Sequence, residues 1–179
     1  ANYTIPARNA KLTEDYVRAV KDDYIGLRER ARQKPAGYDI PLNPQSVLEV
    51  TEDEFKSEFQ ARWEKGGTQF LGAYGDLLLK AEANEKAAKF VKDMIRDTVD
   101  DPDVAELLCP TNIIGCKRLC VDTDYYKTYN LPNVKLVDVS QTPIDRITSS
   151  GVAHQGIEYE LDAIVFATGF DAMTGALFN

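Results

Sequence analysis

The adjacent cations Lys117 and Arg118 are the residues of this sequence whose types best suit the binding of an anionic ligand. A lysine supplies a compact positive charge for a phosphate monoester, whereas a guanidinium stays protonated and stabilises an anion beside it. A simpler interpretation is a solvated pair at the end of a loop, because the chain holds 21 lysines and arginines. The residue types alone leave both interpretations open.

A second candidate lies where an apolar run, Ala163 to Ala167, meets Thr168 and Gly169. The run predicts a strand. A glycine directly after a strand permits either close approach of the backbone to a ligand or an unusual turn. An ordinary turn at a strand end explains the same residues, so the pair is a candidate for cofactor contact and also for a plain chain reversal.

The residues that could ligate a soft metal are few: Cys109, Cys116, Cys120 and the single histidine, His154. A structural zinc site needs four such ligands at tight spacings. We therefore expect no metal site and expect free thiols in a reducing compartment. His154 falls in a predicted hairpin turn and is expected to be exposed.

A polar and aromatic cluster follows the basic pair. Its members are Asp122, Asp124, Tyr125 and Tyr126. Lining of a ligand pocket and packing between elements explain this cluster equally well.

The formal net charge of -8 argues against a protein that binds nucleic acid, since such a protein needs a concentrated basic face to displace counterions. No apolar run approaches the roughly 20 residues of a membrane span, and the N-terminus lacks the apolar core of a signal peptide. We expect a cytoplasmic protein that binds neither nucleic acid nor membrane.

Helical periodicity dominates the first 110 residues. The predicted helices cover about five segments: 13–33, 51–66, 70–78, 84–99 and 101–108. Thr51 and Glu54 have the spacing of a capping box, and Pro102 stands where a helix begins. The aromatic stripe of Phe55, Phe59 and Trp63 indicates a buried core face.

From residue 111 the composition favours strands. We predict strands over 134–139 and 143–148 and two more within 157–168. The expected fold is an α-rich α/β class, with residues 1–110 forming a helical region and residues 111–179 a region of β-strands. Strands at the end of such a chain are too few to cover themselves.

An ordered series of short motifs resembles a known family. The series is Lys117-Arg118, Asp124-Tyr125-Tyr126, the run "NVKLVDV", Pro143-Ile144 and the final Ala167-Thr168-Gly169-Phe170-Asp171. It resembles the NADPH-binding domain of class B flavoprotein monooxygenases of the Baeyer–Villiger type. The resemblance implies that 1–110 is a helical insertion, that 111–179 is the C-terminal part of an incomplete Rossmann-like NADPH domain, and that the FAD domain is missing.

The resemblance also implies roles for single residues. Lys117 would contact the 2'-phosphate of NADPH, Arg118 would act at the flavin and nicotinamide as the catalytic residue, and Thr168 and Gly169 would lie near the cofactors at the return to the FAD domain. The parent enzyme would use FAD, NADPH and O2 to convert a ketone to an ester or lactone. The segment alone would be inactive, because both glycine-rich dinucleotide loops lie outside it.

Two other functions remain open at this point. One is a flavin-containing or N-hydroxylating monooxygenase that oxidises nitrogen or sulfur. The other is a helical interaction module without a cofactor. In any of these cases, unpaired strands would favour association of the isolated segment into a homodimer.

Overall fold

The computed structural model describes residues 1–34, 37, 41–169 and 175. They form two compact units, Ala1–Leu136 and Val137–Asn179. In its described residues the first unit holds five α-helices and a two-stranded parallel sheet, and the second holds a three-stranded antiparallel sheet. The α-rich α/β class predicted from the sequence is confirmed. Within the described part, no helix has the length and apolar character needed to cross a membrane.

The elements are numbered in chain order. The helices are α1 (Glu14–Asp22), α2 (Tyr24–Arg32), α3 (Glu52–Lys65), α4 (Ala81–Thr98) and α5 (Pro102–Leu108), and short 3-10 helices cover Gly67–Gly72 and Tyr126–Asn130. The strands are β1 (Thr4–Pro6), β2 (Cys120–Asp122), β3 (Arg146–Ile147), β4 (Gly151–His154) and β5 (Ile157–Glu160).

Helices α3 and α5 begin where their capping residues predict. The Thr51 hydroxyl accepts a hydrogen bond from the Glu54 amide at 3.3 Å, and the Glu54 carboxylate accepts one from the Thr51 amide at 2.9 Å. This reciprocal pair is the predicted capping box. At α5, the Asp101 carboxylate caps the first turn and Pro102 occupies the first helical position.

The prediction of one continuous helix over 13–33 is wrong. The helix ends at Asp22, and Asp23 adopts φ -111° and ψ 24° before α2 begins. Aspartate is a poor interior helix residue because its short side chain bonds locally, and here the Asp23 carboxylate pairs with Arg30 at 2.8 Å. Neither α1 nor α2 contains a buried residue, so the apolar stripe of this segment is not core.

The predicted helix over 70–78 is also wrong. The chain forms a 3-10 helix only as far as Gly72 and continues through turns. Glycines lose the most backbone entropy in a helix, and Gly72 and Gly75 both fall within this segment. Its apolar residues Phe70, Tyr74 and Leu77 are nevertheless buried.

An aromatic cluster forms the centre of the core. The Phe90 ring of α4 lies 5.3 Å from Phe59, 5.9 Å from Trp63 and 5.9 Å from Phe70, measured between ring centroids. Phe55 completes the stripe on α3, 4.8 Å from Phe59. The predicted core face of α3 is confirmed, and α4 packs against it.

Strands β1 and β2 pair in parallel, with Thr4 opposite Cys120 and Pro6 opposite Asp122. The ladder is three residues long, and β1 is largely buried whereas β2 is largely exposed. This pairing has no counterpart among the strands predicted from the sequence.

The second unit is built on a hairpin. Strands β4 and β5 are joined by Gln155 and Gly156, with φ 52° and 76°, a two-residue turn that matches the right-handed twist of paired strands. His154 belongs to β4 and is 4% exposed, and its Nδ1–H donates to the Pro143 carbonyl at 3.2 Å. The prediction of an exposed turn residue is wrong, because the turn lies one residue later.

The other predicted strands are partly wrong. In the described structure residues 134–139 and 163–167 make no ladder, and the strand predicted over 143–148 is reduced to Arg146–Ile147. A strand requires neighbours for its backbone hydrogen bonds. Val165 and Phe166 are 87% and 70% exposed, in keeping with an apolar segment that lacks packing partners.

Candidate functional site

Lys117 and Arg118 lie in the loop that connects α5 to β2, three and two positions before the strand begins at Cys120. The Arg118 carbonyl accepts a hydrogen bond from Asn2 Nδ2 at 2.9 Å. The next contact is in the ladder, where the Cys120 amide donates to the Tyr3 carbonyl at 3.2 Å. The backbone of the basic pair is therefore held beside the beginning of β1.

The side chains of both residues point away from the protein. Both are exposed, and neither side chain has a hydrogen bond or ion pair with any described residue. Two unpaired positive charges on a held backbone are suited to binding a phosphate or another anion.

A cleft of about 430 Å³ lies at the carboxyl ends of β1 and β2. Ligands of open α/β sheets bind at this edge. The lining residues come from β1, the end of β2, the segments that follow both strands, α3 and the end of α4. They are Thr4, Ile5, Pro6, Ala7, Arg8, Asn9, Trp63, Thr98, Asp122, Thr123, Asp124, Tyr125, Tyr126 and Lys127. Lys117 and Arg118 precede β2, at its opposite end, and are absent from this lining.

The predicted cluster of aspartates and tyrosines lines this cleft. Burial raises the pKa of the Asp122 carboxyl, and the Tyr125 amide donates to it at 3.4 Å. Burial also raises the pKa of Tyr126 to about 12. The buried Tyr126 hydroxyl lies beside Thr4, and this contact offsets part of the increase. Tyr126 packs in the core while Tyr125 remains partly exposed.

Arg8 and Asn9 complete the cleft from the side of β1, and sequence reasoning did not find them. Arg8 adopts φ 55°, a left-handed conformation uncommon outside glycine. No local signal marks the pair, because their proximity to Asp122 depends on the pairing of β1 with β2.

Thr168 and Gly169 belong to the second unit and are exposed. Gly169 has φ 85°, and a Cβ built there would meet nothing within 4 Å. The requirement for glycine is therefore conformational rather than steric. Phe170 and Asp171, which complete the motif, lie outside the described residues.

The described residues contain no group of three histidine, cysteine or acidic side chains that could hold a metal ion. All three cysteines are free thiols. Burial raises the pKa of the Cys109 thiol, while Cys116 and Cys120 are exposed.

Comparison with known proteins gives one consistent result, although no family model matches the chain. A phenazine N-monooxygenase from Lysobacter antibioticus is 35% identical over 98% of this chain and 33% of its own length. Cyclohexanone 1,2-monooxygenase from Acinetobacter is 34% identical over 98% of this chain and 33% of its length.

Solved structures agree with these relatives. An oxidized steroid monooxygenase bound to NADP matches with a TM-score of 0.92 at 44% identity, covering 99% of this chain and 34% of the other. A monooxygenase called OTEMO, in complex with FAD and NADP, matches with a TM-score of 0.93 at 34% identity, covering 98% of this chain and 33% of the other.

These similarities define a class first: the chain is homologous to FAD-binding monooxygenases. Within that class its homologues over the whole chain include the Baeyer–Villiger monooxygenases. The chain spans about a third of the length of the relatives it matches. The resemblance found in the sequence motifs is thereby confirmed.

Proposed function

We propose that this chain is part of the NADPH-binding region of an FAD-dependent monooxygenase. The reaction inserts one oxygen atom of O2 next to a ketone carbonyl and gives an ester or lactone. The observation that carries the proposal is the match over 99% of the chain, at 44% identity, with a steroid monooxygenase bound to NADP. The names of the cyclohexanone and cyclopentanone monooxygenases among the relatives support a ketone as the substrate class.

Lys117 and Arg118 fit the charges of the proposed cofactors. Lys117 supplies a point charge for the 2'-phosphate of NADPH, which distinguishes NADPH from NADH. Arg118 stabilises negative charge that develops beside the flavin and nicotinamide during oxygen transfer. The bound cofactors supply electron transfer and the activation of O2, and the protein supplies position and electrostatics. The exposure of both side chains, and their lack of ion pairs in the described structure, support these roles.

We assign residues 1–110 to a helical insertion of the NADPH domain and residues 111–179 to its C-terminal part. The parallel pairing of β1 with β2 requires a crossover connection, and the helices α1 to α5 lie in that connection, as this assignment expects. We place Thr168 and Gly169 at the return to an FAD domain supplied by the rest of the protein. The left-handed conformation of Gly169 suits a linker that must turn there.

The test uses the full-length gene product with bound flavin. It is incubated with NADPH, labelled O2 and a panel of cyclic, aryl and steroid ketones, and the products are analysed by mass spectrometry. We expect one labelled oxygen atom in an ester or lactone, and loss of that product in Arg118→Ala. The matched control is Arg18→Ala, since Arg18 is an exposed arginine on α1 that forms an ion pair with the exposed Asp15 at 3.8 Å.

Two results would refute the ketone reaction. NADPH consumption without a labelled ester would exclude it, and a protein without bound flavin would leave only the helical interaction module. Retention of full activity in Arg118→Ala would exclude the role of the arginine while leaving the reaction intact.

A second candidate function is oxygenation of nitrogen. It is favoured by one observation, the 35% identity with a phenazine N-monooxygenase over 98% of the chain. Heteroaromatic amines and sulfides therefore belong in the same substrate panel. Labelled oxygen in an N-oxide but in no ester would establish this function in place of the first.

We further infer that the 179-residue chain alone is inactive, that it self-associates, and that the protein is cytoplasmic. Inactivity is expected because the chain spans about a third of the relatives' length. Fractionation of the source cells tests the location, and recovery of the protein with membranes would contradict it.

A further inference from the structure

The loop that carries Lys117 and Arg118 is hydrogen-bonded to a buried asparagine of α4. Asn84 lies in the first turns of α4 and is 7% exposed. Its Nδ2 donates to the Ile114 carbonyl at 2.8 Å and to the Leu77 carbonyl at 2.9 Å. Its Oδ1 accepts a hydrogen bond from the Ile114 amide at 3.2 Å.

These contacts use both hydrogens of the side-chain amide and both backbone polar groups of Ile114. Among neutral side chains, the amides of asparagine and glutamine can both donate to and accept from one peptide group in this manner. Ile114 is fully buried, so the loop is fixed at this residue by packing and by a double hydrogen bond. Loss of the Asn84 amide would leave the carbonyl groups of Ile114 and Leu77 without these hydrogen-bond donors.

The anchor lies only three residues before Lys117. Between them, Gly115 adopts φ 90°, and a Cβ there would come within 2.5 Å of Leu78 Cδ2. The Cys116 amide closes a turn on the Ile113 carbonyl at 3.2 Å. The other end of the segment is held by Asn2, which donates to the Arg118 carbonyl.

We propose that Asn84 is the positioning residue of the basic pair: it fixes the backbone from which Lys117 and Arg118 present their charges. The inference rests on the proposed function, since it assigns Asn84 a role in the selection of NADPH over NADH. Two long cations without ion pairs lose affinity for a phosphate when their backbone is mobile, because binding must then also order the loop. Asn84 removes that cost before the cofactor arrives.

The test measures equilibrium binding of NADP+ and of NAD+ to the full-length flavoprotein by calorimetric titration. The informative quantity is the ratio of the two dissociation constants, because a general loss of protein stability weakens the binding of both cofactors to the same extent. Asn84→Asp keeps the acceptor for the Ile114 amide and loses both donors. We expect it to reduce the preference for NADP+ by about threefold to tenfold. Asn84→Ser, which introduces no charge, replaces it if the aspartate variant fails to fold.

Two further variants make the outcomes distinguishable. Lys117→Ala is expected to reduce the preference for NADP+ by about tenfold or more. Ile95→Val, a small core deletion in the same helix, is expected to leave the preference unchanged. If Lys117→Ala leaves the ratio unchanged, the proposed function of the pair fails. If Lys117→Ala lowers the ratio but a folded Asn84 variant does not, the role of Asn84 is refuted and the proposed function stands.

A second measurement is independent of cofactor binding. In Asn84→Ser, amide hydrogen exchange of Ile114 and of the loop that follows should be faster than in the unmodified protein. Exchange in α3 should be unchanged. Unchanged protection of Ile114 would overturn the anchoring role.

Discussion

At the scale of single residues, Asp76 illustrates how a buried carboxylate is kept ionised. Its Oδ2 accepts from the Ser46 hydroxyl at 2.5 Å, and its Oδ1 accepts from the Val47 amide at 3.0 Å. Burial opposes the charge, but these hydrogen bonds and one to Lys80 outweigh it and lower the pKa of Asp76. The carboxylate thereby holds the loop that leads into α3.

We expect this carboxylate to make the stability depend on pH. Because the pKa of Asp76 is lower in the folded protein, its carboxylate contributes fully to the free energy of unfolding above the unfolded-state pKa of about 3.9. This contribution is lost as the pH falls through the folded-state pKa. In urea unfolding of the 179-residue chain, Asp76→Asn should have a lower free energy of unfolding than the unmodified chain at neutral pH. That free energy should also fall less steeply below about pH 4. Asp97→Asn, at an exposed position, is the control. An unchanged acid slope in Asp76→Asn would contradict the assignment.

The three thiols are expected to react at different rates. Cys116 and Cys120 are exposed, whereas burial both shields Cys109 and raises its pKa. Since the thiolate is the nucleophile, a disulfide reagent at mildly alkaline pH should modify two thiols quickly and Cys109 slowly. Peptide mapping of the modified protein identifies the order. Early labelling of Cys109 would show that α5 opens readily.

At the scale of elements, the end of α3 is set by a glycine pair. Gly66 has φ 69° and ψ -172°, a region open almost only to glycine. A Cβ at this position would collide with the Pro6 carbonyl at the end of β1. Gly67 has a similar φ of 67°, but a Cβ there would meet nothing within 4 Å.

This contrast gives a matched pair of substitutions. Gly67→Ala should cost about 1–2 kcal/mol of unfolding free energy, the usual penalty for a left-handed residue with a Cβ. Gly66→Ala should cost more, because the collision with the Pro6 carbonyl adds to the conformational penalty. Denaturant unfolding measures both. Equal losses of unfolding free energy in the two variants would show that α3 can move away from β1 to accommodate the Cβ at no cost in free energy.

The sequence predicts elements well where the signal is local. The capping box of Thr51 and the aromatic stripe of α3 locate a helix because each depends on residues three or four apart. The break at Asp23 leaves the apolar periodicity intact, so periodicity alone predicts one helix. The paired strands β1 and β2 are invisible to such signals, since three residues are too few for alternation and their partners are distant in sequence.

The candidate site divides in the same way. Lys117 and Arg118 are recognisable from the sequence because a motif series contains them. Asn84 and Arg8 are not, because their roles depend on contacts across 30 residues or more. The prediction for His154 is wrong because the turn begins one residue later than predicted. A shift of one residue moves a side chain from solvent to the covered face of a strand.

At the scale of the whole molecule, exposed apolar residues dominate the solution behaviour that we expect of the isolated chain. Ile25, Leu79 and Val165 are each more than four-fifths exposed. Ile164, Val165 and Phe166 form a continuous exposed apolar run, and a contiguous apolar surface is the kind that another part of a protein covers. The 179-residue chain should therefore sediment as a concentration-dependent dimer and bind an apolar dye.

The substitution Phe166→Ser should weaken this association, whereas Ser149→Ala, at an exposed polar position of the same unit, should not. Sedimentation of each variant over a range of concentrations gives the comparison. A monomer that binds no dye at any concentration would contradict the expected self-association.

The pairing of β1 with β2 also bears on the order in which we expect the chain to fold. Asn2 and Arg118, at the base of this pair, are 116 residues apart in sequence. Closing so large a loop is costly before other contacts compensate for it, whereas the helices form from near neighbours. We therefore expect the helices to assemble first, with the loop of Lys117 and Arg118 already held to α4 at Ile114, and the ladder to close later. The hydrogen bond from Asn2 to the Arg118 carbonyl would then form late, so we expect the proposed cofactor-binding surface to be completed near the end of folding.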